Sequence, residues 1–154
     1  MLIRVGHQSQ AVANYLLALS KRDGRPVTPM QLLKLVFISH GWMLGLHGRP
    51  LCSEGTEAWR YGPVIPSLYH AYKEYGSGHI GYVGSADADE FDAEEKLVLE
   101  QVWGHYSKFT GIQLSTLTHR PKSPWDETVR MSGYGTGISN DLMAEYYRRL
   151  ATQG

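Results

Sequence analysis

The chain predicts a mainly α, compact single-domain helical fold with a small β-hairpin element, and three observations point to it. Apolar residues recur at helical spacing between glycine and proline breaks. Several of these segments open on a capping residue followed by proline, or by Gln or Glu three positions later. Extended character is confined to Leu51 through Tyr61. With 154 residues and 42% hydrophobic content there is enough apolar material for one core, so residues 1–154 are expected to form one domain.

The first helix is expected from about Gln8 to Ser20, with Val12, Tyr15, Leu16 and Leu19 as its inner stripe. Lys21-Arg22-Asp23-Gly24-Arg25-Pro26 ends it with a cationic turn, a glycine and a proline. Thr28, Pro29 and Gln31 then form the clearest start signal in the chain, a Thr-x-x-Gln box with proline at the first helical position. From Met30 to Leu46 nearly every face is apolar, which places this second helix at the centre of the fold. Gln31, Lys34, Gly41 and Gly45 are the exceptions, and the two glycines would let another backbone approach. Gly48 and Pro50 end the helix.

Leu51 to Tyr61 is expected to be extended, as a small hairpin turning at Ser53-Glu54-Gly55. A helix follows over Ser67 to Tyr75, with Leu68, Tyr69 and Tyr72 on one side. Gly76, Gly78, Gly81 and Gly84 mark an irregular loop, and Asp87-Ala88-Asp89-Glu90 reads as its mobile, solvated rim. Asp92 with Glu95 opens the next helix, with Val98, Val102, Tyr106 and Phe109 inward and Glu94, Glu95, Glu100 and Lys108 toward water. Shorter helices are expected over Ile112 to Thr118 and, capped by Ser123 before Pro124, from there to Met131. Gly133, Gly135 and Gly137 read as a flexible connector. Ser139 caps the last helix, with Leu142, Tyr146 and Leu150 as its inward stripe.

Composition narrows the function classes. Lys plus Arg and Asp plus Glu are 15 each, so the basic excess of a phosphate-gripping protein is missing. Arg60, Lys73, Arg148 and Arg149 could still gather, with Trp59 or Tyr61 stacking on bases, but no compact helix-turn-helix pattern accompanies them, and nucleic acid is not the expected partner. The lone Cys52 excludes an internal disulfide and fits a reducing compartment. Met1 to Gly6 does not read as a secretory leader, and Leu32 to Leu46 is too short to span a bilayer and contains Lys34 and His40. A soluble, cytoplasmic protein away from membranes is expected.

The seven histidines, at positions 7, 40, 47, 70, 79, 105 and 119, include no i, i+4 pair, and neither Cys/His clusters nor phosphate- or dinucleotide-binding loops occur. Cys52 beside Glu54 has no nearby His to activate it. No metal, cofactor or catalytic residue is expected, and the protein reads as a binder rather than an enzyme.

The segment Glu57-Ala58-Trp59-Arg60-Tyr61-Gly62-Pro63-Val64-Ile65-Pro66-Ser67-Leu68-Tyr69 is the main functional candidate. It sets Trp and Tyr rings beside one Arg, and Pro63 and Pro66 exclude a regular helix. A short strand through Ala58 to Tyr61, a rigid kinked turn and a helix from near Pro66 are expected. Tyr69, Tyr72 and Tyr75 follow at three-residue intervals. Tyr, Trp and Arg anchor protein interfaces, and the same residues would also suit a structural corner. Trp42 and Trp103 fall in apolar helices and read as core. The candidate partner-binding set is Trp59, Arg60, Tyr61, Tyr69, Tyr72, Lys73 and Trp125. Two roles stay open for Arg60: anchor for a partner's carboxylate, or internal partner of a carboxylate such as Glu57.

Three blocks, in order, resemble the Panacea domain: Leu32-Leu33-Lys34-Leu35-Val36-Phe37 through Gly41-Trp42; Glu57 through Pro66 with Tyr69, Lys73, Tyr75 and Gly76; and Leu117-Thr118-His119 with Pro124-Trp125. This is the antitoxin domain of many bacterial and phage toxin–antitoxin pairs, and it includes SocA-type and phage-associated proteins. The resemblance implies a non-enzymatic antitoxin that neutralises a co-encoded toxin by direct binding. The SocA type further implies a protease as a possible second partner, with the antitoxin as adaptor. Some relatives carry an added DNA-binding segment, and none is evident in this sequence. The alternative function is a phage-associated adaptor that delivers a client to a protease or blocks a host factor.

Overall fold

The structure is a computed structural model and describes residues 6–81 and 87–153. Gly84 of the expected loop and the Met1 to Val5 stretch weighed as a leader lie outside those residues. In chain order the elements are α1 (Ser9–Asp23), α2 (Pro29–His47), β1 (Thr56–Trp59), β2 (Gly62–Val64), α3 (Pro66–Tyr72), α4 (Ala93–Tyr106), α5 (Gly111–Thr118), α6 (Pro124–Ser132), β3 (Gly137–Ile138) and α7 (Asn140–Thr152). Single 3-10 turns cover Lys73–Tyr75 and Ala88–Glu90. The fold is mainly α and compact, as the periodicity predicts.

Helix α2 is the central rod because its sequence is apolar all round. The Thr28 hydroxyl accepts from the Gln31 amide while the Gln31 side chain accepts from the Thr28 amide, and Gly48 closes the other end in the left-handed conformation at φ 68°. Helices α1, α4, α5 and α7 all pack on it. Its closest neighbour is α7. A Cβ added at Gly45 would lie 2.6 Å from the Cβ of Tyr147, and one at Gly41 would fall inside the Tyr147 ring. The glycine notch therefore selects which face of α7 docks. Met143 and Tyr147 are buried there, whereas Leu142, Tyr146 and Leu150, the expected stripe, are only partly covered. Both sets recur at helical spacing, and only the shape of α2 distinguishes them.

The small sheet is antiparallel with strand order β2-β1-β3. Its register pairs Glu57 with Val64, Ala58 with Pro63 and Trp59 with Gly62, so the hairpin turns at Arg60-Tyr61 and not at Ser53-Glu54-Gly55. Gly62-Pro63, expected within the kinked turn, is strand. Pro63 is tolerated because β2 is an edge strand, and because its partner Ala58 exchanges its backbone bonds with Thr136 and Gly135 on the opposite side. Gly62 has φ 121°, which a side chain would resist. The glycine connector is likewise more than a linker. Its Gly137–Ile138 segment is β3, paired with Thr56 and Glu57.

Three carboxylates expected at the surface or in a turn have structural duties. Glu54 takes hydrogen bonds from the Ser9 amide at 2.6 Å, the Ser9 hydroxyl and the Ser67 hydroxyl. It thereby supplies the cap that α1 lacks locally, since Gln8 makes no side-chain cap bond. Burial alone would raise the Glu54 carboxyl, but the bonds from Ser9 and Ser67 outweigh it and hold the group below its ordinary range. Glu95, expected toward water, is fully buried, with one oxygen 2.7 Å from His7 Nε2. His7 Nδ1 lies 2.8 Å from Glu90, so the acidic rim is tied to the N-terminal segment. Ile80, among the glycines that precede the rim, is buried and donates to the Val27 carbonyl at 2.9 Å.

Trp103 is buried and donates to Asp23 at 2.7 Å, while Trp42 is half-buried and donates to the Tyr106 hydroxyl at 3.1 Å. No helix among the described residues is long and apolar enough to cross a membrane.

Candidate partner-binding site

The β1–β2 turn is held by its backbone and leaves its side chains outward. Three carbonyls around it accept from side-chain donors on three helices. Trp125 Nε1, from α6, donates to Trp59 O at 2.7 Å. From α5, the Ser115 hydroxyl donates to Tyr61 O at 3.2 Å; His119, just past that helix, has Nδ1 2.6 Å from the Ser115 carbonyl and Nε2 3.4 Å from Arg60 O. Lys34 Nζ, from the central rod, donates to Pro63 O at 3.0 Å. Each bond is modest, about 1 kcal/mol net, but together they remove the freedom that an exposed hairpin would otherwise retain.

The seven candidate residues divide accordingly. Tyr61 is 81% exposed at the tip of the turn. Trp59 is half-buried, donates to Glu57 at 2.8 Å and meets Tyr69 edge-on at 5.1 Å between centroids. Arg60 and Lys73 are exposed, and Tyr69 is partly open. Tyr72 and Trp125 show less than a tenth of their surface; Tyr72 accepts from Gln10 at 2.6 Å, and Trp125 packs edge-on against His119 at 4.2 Å. Four of the seven are thus exposed, Trp59 is half-buried, and Tyr72 and Trp125 are buried. Among the described residues the internal pair considered for Arg60 does not form: Glu57 serves the Trp59 indole, and the Arg60 guanidinium sits 4.7 Å from the centroid of the Tyr134 ring.

A cleft of about 310 Å³ opens beside the turn, lined by Trp59, Tyr61, Tyr69, Lys73, Lys34 and Met30 among others. A second depression of about 410 Å³ continues past Tyr61 and Met30 to Ile112, His119 and Arg120. Met30 and Ile112 are 42% and 75% exposed and were not legible as surface residues. Met30 belongs by periodicity to an all-apolar helix, yet it projects at that helix's first turn beside the start of α5. Tyr134, half-exposed, was hidden in a glycine connector.

The two nucleophile or ligand candidates have structural surroundings. Burial pushes the Cys52 thiol far up, with Glu54 adding to the effect, so a thiolate is disfavoured. Burial lowers His40, whose Nδ1 accepts from the Leu51 and Cys52 amides while Nε2 faces Asn140 at 3.1 Å. Among the described residues no group of three or more His, Cys, Asp or Glu is placed to hold a metal.

Residues 32–126 match the family described as Antitoxin SocA-like, Panacea domain. The chain belongs to this family. Antitoxin SocA of Caulobacter vibrioides (strain NA1000 / CB15N) is 30% identical over 149 residues, covering 87% of this chain and 76% of the relative. No solved structure matches. The matched span of the Panacea domain contains the three side chains that donate to the turn, Lys34, Ser115 and Trp125, together with His119 and the whole hairpin. Tyr134 and α7 lie beyond it. An antitoxin of this family implies a cognate toxin as partner.

Proposed function

We propose that the chain acts as an antitoxin in the cytoplasm, neutralising a co-encoded toxin by direct binding and without covalent chemistry, and that Trp59, Arg60, Tyr61, Tyr69 and Lys73 make the contact. Tyr72 and Trp125 act behind them as supports. Family membership supplies the antitoxin role. One observation favours this surface: an 81% exposed tyrosine at the tip of a turn whose backbone is tethered from three helices. A ring displayed in that way loses little freedom when a partner covers it, and buried Tyr, Trp and Arg anchors carry about 2 kcal/mol or more each at interfaces.

Co-expression with the neighbouring reading frame tests both levels. The expected result is growth arrest by the neighbour alone, rescue by the wild-type chain, and loss of rescue with Tyr61→Ala at an unchanged melting temperature. A neighbour that is harmless alone, or toxic beside the wild type, removes the antitoxin reading. Full rescue by Tyr61→Ala together with Trp59→Ala removes the assignment to this surface.

A further inference from the structure

The two depressions flanking Tyr61 are chemically one-sided. Their ionisable lining is Lys34, Lys73 and Tyr69 in one, His119 and Arg120 in the other, with Tyr61 shared; among the described residues no Asp or Glu lines either. The whole chain has equal numbers of acidic and basic residues, so this segregation is local. Lys34 is the most telling of the four. It is 5% exposed, and its Nζ has the Pro63 carbonyl at 3.0 Å but no carboxylate in ion-pair reach among the described residues. An ammonium has three protons to donate, and a buried charge without a counter-ion is costly. Burial accordingly holds Lys34 down at about 8. The rest of the lining is mostly apolar or aromatic: Trp59, Tyr61, Tyr69, Met30 and Ile112.

We propose that these adjoining depressions receive an extended acidic segment of the partner protein, its carboxylates pairing with Lys34, Lys73 and Arg120 while an apolar side chain lies against Trp59, Tyr61 and Met30. The inference rests on the reading that this surface meets the toxin, and it adds the chemistry of what is bound. Charge complementarity selects carboxylates. Adjacency selects a through-running segment rather than a chain end, because the two depressions share Met30 and Tyr61 as a common wall and the cations lie on both sides. A terminal carboxylate would engage only one of them. The aliphatic lining, Met30, Leu33, Val64 and Ile112, favours peptide over nucleic acid, which would leave those side chains unmatched.

The probes are a fluorescein-labelled peptide alternating Asp and Glu with Leu and Trp, its Asn/Gln counterpart, a polythymidine oligonucleotide of equal length, and the purified neighbouring-frame protein. The acidic peptide is expected to bind at least about tenfold tighter than the amide peptide, and Lys73→Glu with Arg120→Glu should erase that preference. The same double variant should weaken the complex with the neighbouring-frame protein at least about tenfold, and added salt should weaken the wild-type complex. Lys73 and Arg120 are exposed, so these variants keep the fold, and Lys34→Met is a third arm measured alongside its melting temperature. Equal affinity for the two peptides, binding of neither, or tighter binding of the oligonucleotide overturns the proposal. A neighbour complex that needs Tyr61 but ignores Lys73→Glu and Arg120→Glu overturns the acidic-segment inference alone. A complex indifferent to Tyr61→Ala overturns the surface assignment beneath it.

Discussion

Trp125 and Trp59, 66 positions apart, are joined by a hydrogen bond in which the indole Nε1 of Trp125 donates to the Trp59 carbonyl at 2.7 Å. One tryptophan is buried as a support and the other is presented beside the turn. Trp125→Phe keeps an apolar ring and removes only the donor. The expected cost is about 1–2 kcal/mol, with a drop of several degrees in melting temperature. Partner binding should weaken as well, because the Trp59 strand loses its anchor. Unchanged melting and unchanged binding would show that this bond positions nothing.

Gly41 and Tyr147 set the approach of α7 to α2. A methyl at Gly41 would overlap the Tyr147 ring, so Gly41→Ala is expected to destabilise the fold by about 2 kcal/mol or more. Trimming the ring should relieve the clash: Gly41→Ala with Tyr147→Ala is expected to be more stable than the sum of the two single effects predicts. Denaturant unfolding of the four proteins measures this, and simple additivity would mean that the two residues do not share the space.

His7 bridges two carboxylates, Glu95 at 2.7 Å and Glu90 at 2.8 Å, with Arg49 Nη1 3.6 Å from Glu95. Glu95 is fully buried, and Glu95→Ala would leave the buried His7 ring without that partner. A loss of about 3 kcal/mol is expected, visible as a lower urea midpoint. Glu94→Ala, at an exposed position on the same helix, should cost well under 1 kcal/mol. Equal effects from the two would refute a special role for Glu95.

Lys34 gives a pH signature. Burial lowers its ammonium from 10.5 to about 8, so between those values the unfolded chain holds more protons than the folded one. Stability contributed by this group therefore rises with pH from about 8 to about 10.5, by an amount on the order of a few kcal/mol, and below about pH 8 the full burial penalty applies. Lys73, Tyr61 and Tyr69 line the same cleft, His119 lies with Lys34 against Gly62, and all four are shared by the wild type and Lys34→Met. The difference between their stability curves at pH 7 and pH 10 isolates Lys34. A flat difference would place that ammonium in contact with water.

Much of the architecture was legible in local signals. The Thr28–Gln31 and Asp92–Glu95 boxes, the Ser123 and Ser139 caps and the Gly24 and Gly48 stops bound their helices as expected, because a cap is satisfied within one turn of chain. The hairpin was legible as extended but misplaced in its turn. Ser53-Glu54-Gly55 has turn composition, yet Glu54 is taken by the start of α1, and the Arg60-Tyr61 turn is fixed by donors from α2, α5 and α6. Glu95 was misread for the same reason, since its partner His7 is 88 residues away.

By itself the sequence determined the helical class, the central rod at Pro29–His47, most helix ends and the family to which the chain belongs. Those features depend on periodicity, capping and side-chain identity, all of which act over a few residues or along a motif. Only the tertiary structure decided which face of α7 meets the glycine notch, where the sheet turns, and that Tyr61 stands outside while Trp125 stands behind it. These depend on shape and on hydrogen bonds between distant residues, where several alternatives satisfy the same local pattern and only packing chooses among them.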